Sequence, residues 1–138
     1  MLTVIIFLLV LNLLVFVHEL GHFWTARKFN MKPREFGFGF PPRIFGFYKG
    51  KGGEWKKIIG PGEVNDAVDT VYSLNWIPMG GFVNIGEDDI ESKDPDSFMN
   101  KKIWQRAIVL SAGVGMNVLL AAVLLSIGFM IGQPSIID

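Results

Sequence analysis

The 138-residue chain contains no cysteine, which excludes a disulfide framework and a metal site built on thiolates. It carries no net formal charge, with 13 basic and 13 acidic side chains, and its basic residues do not form one stripe. This charge balance gives no support for nucleic-acid binding, so we expect no nucleic-acid partner. Histidine is scarce, since His18 and His22 are the only two in the chain.

Charge is also absent from two long apolar runs, one towards each end of the chain. The first, from Met1 to Val17, contains no ionisable side chain, and continued to Ala26 it is long enough to cross a hydrocarbon core of about 30 Å. No basic stretch precedes it and no small-residue cleavage site follows it, which argues against a cleaved signal peptide. The uncharged run 107–132 is also long enough to cross. We therefore predict an α-helical membrane protein in contact with the lipid bilayer, with transmembrane helices at 1–26 and 103–132.

The basic residues predict an orientation. All 13 lysines and arginines lie between Arg27 and Arg106. Because the cytoplasmic loops of membrane proteins are rich in Lys and Arg, we predict that the loop 27–106 is cytoplasmic and that both ends of the chain are outside. Residues 133–138 are then expected to begin an external region.

The segment 27–102 between the helices has the pattern of strands. Aromatic residues alternate with glycine from Phe36 to Phe40, and Pro41-Pro42 is expected to stop this strand. Further strands and turns follow by the same criteria, with strands at 44–48, 70–77 and 82–85 and turns at 49–53, 60–62 and 78–81. Two interpretations of this β-hairpin or sheet insert remain open. It is either a small cytoplasmic unit with its own core or a membrane-associated sheet whose open edge can pair with an extended peptide.

The first apolar run ends in the sequence His18-Glu19-Leu20-Gly21-His22. Residues four apart share a helical face, so the two imidazoles can bind one zinc ion. Glu19 borders that face and can reach a metal-bound water as a general base. Each histidine could instead be a satisfied interior residue, or Glu19 could form a buried ion pair with one of them. These alternatives explain less well why three ionisable groups, costly in lipid, occur together at ligand spacing.

The second apolar run contains one narrow stretch and one amide. Ser111, Ala112, Gly113 and Gly115 are small and favour close helix packing. Asn117 follows them near the middle of the span. Its side chain could form a hydrogen bond between helices, or it could hold a peptide backbone near a metal.

Three stretches occur in an order typical of one known family, namely His18-Glu19-Leu20-Gly21-His22, Pro78-Met79-Gly80-Gly81-Phe82-Val83, and Trp104-Gln105-Arg106-Ala107 leading into Ala112-Gly113-Val114-Gly115-Met116-Asn117. With these stretches the chain resembles the site-2 protease family, in particular the bacterial group of the regulator of sigma-E protease. The resemblance implies an intramembrane zinc metalloprotease of the bacterial inner membrane. Such a protein would cleave transmembrane segments of membrane proteins, for example anti-sigma factors or signal-peptide remnants.

The resemblance also implies a role for individual residues. His18 and His22 would bind Zn²⁺, and Glu19 would activate water. A membrane-associated sheet would present an unfolded strand of a transmembrane protein substrate. By this resemblance, substrate binding is assigned to Gly80, Gly81, Phe82, Val83 and Asn117.

The chain departs from the family pattern at two points. Val114 stands where a proline is usual, and we expect this to change only the local helix geometry. The family's third zinc ligand, an Asp in a Leu-Asp-Gly-like sequence on a later span, has no counterpart here. We therefore expect an N-terminal part of a longer protease that is inactive alone. The alternatives are a non-catalytic membrane scaffold or binding relative and a zinc-binding transport component.

Overall fold

The structure is a computed structural model that describes residues 1–132, so the predicted external region at 133–138 lies outside the described residues. Two long helices are separated in sequence by a small sheet and one helical turn. The elements are α1 (Leu2–Lys28), β1 (Glu35–Lys49), β2 (Trp55–Ile59), β3 (Val71–Asn84), the 3-10 turn Phe98–Asn100 and α2 (Ile103–Ile131). This arrangement of two apolar helices and a sheet agrees with the predicted architecture.

Both helices are long and apolar enough to cross a membrane, with 27 and 29 residues. At 1.5 Å per residue each is roughly 40 Å long. Only 6% and 11% of their most apolar windows are buried, whereas the core helix of a soluble protein is mostly buried. Helix α1 ends with Arg27 and Lys28 in its last turn, slightly beyond the predicted end at residue 26.

The sheet has the order β2-β1-β3. In each of the two long strands, β1 and β3, the first and the second half pair with different segments. Residues 35–38 pair in parallel with 71–74 and antiparallel with 81–84. Residues 43–47 run antiparallel to 72–75 on the other side of the same stretch. Residues 45–49 also pair antiparallel with 55–59. From one edge to the other, the order is therefore 55–59, 43–49, 71–75, 35–38 and 81–84.

The predicted strand end at Pro41-Pro42 is wrong, because the extended backbone of β1 continues through both prolines. These residues instead mark the point where β1 passes from one side of β3 to the other. Asn75 serves this crossing, since its amide donates hydrogen bonds to the carbonyls of Phe38 (3.3 Å) and Gly39 (3.0 Å). The side chain thereby satisfies carbonyls that the change of partner removes from the ladder.

The predicted turn at 78–81 is assigned to β3, but the pairing reverses there, as a turn requires. Gly80 has a φ of +65°, a conformation that glycine adopts without strain. The resulting segment 81–84 forms one edge of the sheet. Strand β2 at the opposite edge was not predicted, because its sequence Trp-Lys-Lys-Ile-Ile lacks the alternation of a half-buried strand.

The sheet packs directly on α1. Phe23 stacks on Phe36 with ring centroids 4.7 Å apart, and Phe16 lies 5.8 Å from the same ring. A separate buried cluster lies where the two helices meet the loops, and it consists of Ala26, Met31, Ile85, Phe98 and Val109. These contacts fix the edge 81–84 beside the middle of α1.

Candidate metal centre

His18, Glu19 and His22 lie together on α1, and their potential ligand atoms are within 4.8 Å of one another. The two imidazole centroids are 4.8 Å apart, with the rings edge to face at 78°. All three side chains are half-buried. The helical spacing therefore produces the shared face that the sequence predicts. Within residues 1–132, no other group of three or more His, Cys, Asp or Glu side chains is placed to hold a metal ion.

Helix α2 fixes the orientation of His22. The Nδ1 atom of His22 lies 2.7 Å from the backbone carbonyl oxygen of Val109. A carbonyl oxygen only accepts hydrogen bonds, so Nδ1 carries the proton and Nε2 keeps its lone pair. Metal-binding histidines commonly have this arrangement, with the second nitrogen donating to an oxygen.

Two glycines allow α2 to approach the histidines. A Cβ atom on Gly21 would lie 2.6 Å from the backbone oxygen of Ala112, and one on Gly113 would lie 2.5 Å from Nε2 of His18. Both glycines are buried. The predicted narrow stretch therefore does form a close helix contact through Ala112 and Gly113. Ser111 and Gly115 are exposed and do not contribute to it.

Asn117 is placed next to the histidine pair, with its Nδ2 atom 3.3 Å from Nδ1 of His18. This contact joins α2 to α1, as the interhelical interpretation of Asn117 expects. The Oδ1 atom of the same amide is buried and has no hydrogen-bond partner among the described residues. The arrangement puts the amide in direct contact with a candidate ligand.

A cavity of about 220 Å³ opens between α1, α2 and the edge 81–84. Its lining combines two members of the motif with apolar side chains and one further carboxylate: Glu19, His22, Phe40, Phe82, Val83, Ile85, Glu87 and Leu110. The backbone amide of Val83 faces the Glu19 carboxylate. This volume is sufficient for water and for a peptide group beside Glu19.

The four predicted strand residues divide into two pairs. Phe82 and Val83 line the cavity, whereas Gly80 and Gly81 pack on α1. A Cβ atom on Gly80 would collide with the Val15 side chain. One on Gly81 would lie 3.4 Å from Cβ of Glu19. The two glycines therefore bring the strand edge close to the helix.

Sequence reasoning missed three contributors to this region. Val109 acts through its backbone carbonyl, for which a sequence has no signal. Glu87 belongs to an acidic stretch in which no residue stands out. Asn12 accepts a hydrogen bond from the Gly80 amide, and a polar side chain inside an apolar span is a signal that could have identified it.

The donor set suits zinc. Two imidazoles on one helical face, one of them with its Nδ1–H already held by a carbonyl, present nitrogen ligands of the kind that zinc prefers. Catalytic zinc sites use three protein ligands and a water. The described residues supply two of these ligands, the imidazoles of His18 and His22, and the Glu19 carboxylate lies beside them in the position of a general base.

Comparison with known proteins gives one family and several relatives. The model of peptidase family M50 matches residues 6–137. A protein named as a zinc metalloprotease in Fusobacterium nucleatum is 40% identical over 123 residues, which cover 89% of this chain and 31% of that protein. Protease RseP of Yersinia pestis is 34% identical over 134 residues, covering 94% of this chain and 26% of the relative. The chain therefore spans about a quarter to a third of the length of these relatives.

Proposed function

The chain belongs to peptidase family M50, the site-2 protease family, and we propose from this premise that it acts in zinc-dependent proteolysis within the membrane. The substrates would be transmembrane segments of other membrane proteins, such as anti-sigma factors or signal-peptide remnants. The observation that carries the proposal is the position of the histidine pair. Both imidazoles lie in an apolar helix, and His22 and Glu19 border a cavity whose opposite wall is a strand edge.

The chemistry divides between the metal ligands and Glu19. His18 and His22 would hold the ion through their Nε2 atoms. Zinc bound there would supply Lewis-acid activation of water and of the scissile carbonyl. Glu19 lies on the cavity wall and accepts the proton of the attacking water as general base, then returns it to the leaving amine.

The edge 81–84 would hold the substrate. A transmembrane helix satisfies its backbone groups internally, so it must unwind before its peptide bond can be cleaved. Pairing of the unwound strand with 81–84 would replace the lost hydrogen bonds while presenting the strand to Glu19. Phe82 and Val83 are on this edge and line the cavity.

The depth of the sheet supports its membrane association. It contacts α1 from Asn12 to Phe23, which is between about 8 and 24 Å of helix rise before Lys28. If α1 spans the bilayer, this edge of the sheet lies at the depth of the hydrocarbon. Exposed aromatic and apolar side chains on the sheet, such as Phe38 and Trp76, fit that environment. We place the protein in the bacterial inner membrane, with the loop 27–106 on the cytoplasmic side and both ends outside.

Cleavage of a co-expressed single-span membrane protein tests the proposal, and it is measured with the longer protease that we expect to contain this chain. Glu19→Gln keeps size and polarity but removes the base, so cleavage should stop while the substrate still co-purifies. Glu91→Gln is the matched control, because Glu91 is exposed and does not line the cavity, so cleavage should persist. Near-normal cleavage by Glu19→Gln would exclude Glu19 as the general base.

A second variant tests the proposed pairing of the substrate strand with the edge 81–84, which we call the strand clamp. Val83→Pro deletes the amide that faces Glu19, so substrate capture should weaken while the histidine pair remains intact. If the Val83→Pro protein folds, captures substrate and cleaves normally, the strand clamp is contradicted and the role of Glu19 is unaffected.

A non-catalytic membrane binding or scaffold protein is the second candidate. One observation favours it. The only candidate ligand group within residues 1–132 contains two histidines and one glutamate, so with Glu19 as the base it has one ligand fewer than a catalytic zinc site uses. Substrate capture without cleavage by the wild-type protein, unaffected by Glu19→Gln, would support this function over the protease.

A further inference from the structure

We propose that Asn117 is a positioning residue for His18, and that its side-chain oxygen accepts a hydrogen bond from His18 Nδ1–H so that Nε2 is left to bind the metal. The amide lies 3.3 Å from Nδ1 across the interface between the two helices. This role differs from contact with a substrate, and it rests on the proposed metal centre because the ligand nitrogen decides which tautomer is required.

The first step is the freedom of the His18 ring. Rotation of an imidazole about its last side-chain bond is only weakly restricted, so neighbours must fix the direction of its ligand nitrogen. Gly113 restricts one face of the ring. A Cβ atom there would lie 2.5 Å from Nε2 and 2.7 Å from both Cδ2 and Cε1. These three distances are nearly equal, whereas a position in line with the Nε2 lone pair would be clearly farther from the two carbons. Gly113 therefore covers the ring face and not the lone pair.

The second step is the orientation of the amide. The oxygen and nitrogen of an asparagine side chain are distinguished by their hydrogen-bond partners, since their shapes are almost the same. With nitrogen towards His18, Nδ1 would be the acceptor, and the proton would occupy Nε2 and block it as a ligand. With oxygen towards His18, Nδ1 carries the proton and Nε2 is free.

Pairing within the described residues does not choose between these orientations, because the one contact given there for the amide is with His18 Nδ1, and either amide atom can make it. Metal binding does choose, since only the accepting amide leaves Nε2 unprotonated. The accepting orientation also makes the two histidines equivalent. His22 donates from Nδ1 to the Val109 carbonyl oxygen, and His18 would donate from Nδ1 to Asn117 Oδ1, both on α2.

The scarcity of histidine provides a direct test. Because the chain contains only His18 and His22, protein labelled with ¹⁵N-histidine gives imidazole signals from two rings. In the metal-free protein at a pH where both rings are neutral, we expect both in the Nδ1–H form. Asn117→Ala should move His18 towards the Nε2–H form preferred by free imidazole, and Asn117→Asp, which keeps an acceptor, should retain Nδ1–H.

Metal affinity is the second readout. In a cobalt(II) titration of the purified chain, Asn117→Ala should weaken binding by about 10- to 100-fold and Asn117→Asp should remain within a few-fold of wild type. Ser111→Ala is the matched control, because Ser111 is exposed on α2 and its hydroxyl donates to its own helix at Ala107. An unchanged His22 signal shows that each variant is folded.

The proposal is overturned if wild-type His18 is in the Nε2–H form, or if Asn117→Ala leaves both the tautomer and cobalt affinity unchanged. Neither measurement requires cleavage. If the tautomers are as expected but the longer protease that contains this chain does not cleave, the proposed function is contradicted and the role of Asn117 is unaffected.

Discussion

The backbone amide of Gly80 donates a hydrogen bond to Oδ1 of Asn12 over 2.5 Å, and this bond ties the bend of β3 to the middle of α1. The nitrogen of the same Asn12 side chain donates to the carbonyl of Leu8 on its own helix at 2.7 Å. Asn12 therefore uses both ends of its amide. If α1 spans the bilayer, both bonds lie at the depth of the hydrocarbon, where no water is present to replace them.

Asn12→Leu should loosen the bend of β3. The substitution leaves the Gly80 amide without an acceptor, and an unpaired buried donor costs about 1–3 kcal/mol. We expect faster hydrogen–deuterium exchange at residues 78–82 in detergent, with exchange in α2 unchanged. Thr3→Val is the control, because Thr3 is exposed at the start of α1. Equal exchange in Asn12→Leu and wild type would show that this bond does not hold the bend.

Gly113 and Gly115 of α2 should respond oppositely to alanine. Gly113→Ala places a Cβ atom against the His18 ring, and overpacking of this kind costs about 1–3 kcal/mol. Gly115 has nothing within 4 Å of its hypothetical Cβ, so Gly115→Ala should leave stability unchanged or raise it by up to about 1 kcal/mol. Unfolding midpoints in detergent distinguish the two. Equal midpoints for Gly113→Ala and Gly115→Ala would mean that the helices can move apart without loss of stability.

The helices and the metal motif could be predicted because their signals are local. The length and uncharged composition of two runs define α1 and α2, and the four-residue spacing of His18 and His22 defines a shared face. The paired halves of β1 could not be predicted, since alternating aromatics record an extended backbone but not its partners. For the same reason, a proline pair that normally ends a strand is here a crossing point within one.

Contacts that depend on backbone atoms or on distant partners also escaped the sequence. The Val109 carbonyl that orients His22 has no side-chain signature. The polarity of Asn117 was visible, but its contact with His18 depends on how two helices pack. Gly113 makes that packing possible, and the sequence predicted its close helix contact and an interhelical role for Asn117, but not His18 as the partner.

Removal of Arg43 from its ion pair with Glu35 should destabilise the sheet strongly. Two guanidinium nitrogens of Arg43 reach both Glu35 oxygens at 3.0 and 2.7 Å, and a third reaches carbonyls of the 60–62 turn. Arg43→Ala leaves a largely buried carboxylate unpaired, which costs about 3–5 kcal/mol. Arg27→Ala should cost about 0–1 kcal/mol, because Arg27 and Asp69 are 40% and 41% exposed. Thermal unfolding of the two variants in detergent tests the difference.

Acid should weaken the β1–β2 edge through Asp66. A hydrogen bond from Lys56, 2.6 Å away, lowers the pKa of Asp66 below its ordinary value of 3.8. Because the folded-state pKa is depressed, this contribution is present above the unfolded-state pKa and is lost as pH falls through the folded-state pKa. Between about pH 6 and pH 3, the range in which carboxylates titrate, the unfolding temperature of Asp66→Asn should fall less than that of wild type. Asp88→Asn, an exposed control, should behave like wild type, and an identical acid response in Asp66→Asn would contradict the prediction.

Labelling of single cysteines should decide the orientation of the protein. The chain has no native cysteine, so Lys51→Cys and Thr3→Cys each carry one reactive thiol. Lys51 is exposed in the segment between β1 and β2, and Thr3 is exposed at the start of α1. Because every basic residue lies between Arg27 and Arg106, Lys51→Cys should resist a membrane-impermeant maleimide in intact cells and react after permeabilisation.

Thr3→Cys should react with the same reagent in intact cells, since this end of α1 is expected outside. The pair of variants controls for accessibility, because each thiol must react in permeabilised cells before its protection is interpreted. Labelling of Lys51→Cys from outside together with protection of Thr3→Cys would reverse the proposed orientation. The histidine pair would then be reached from the external side, since His22 lies six residues before Lys28, about 9 Å of helix rise from the basic end of α1.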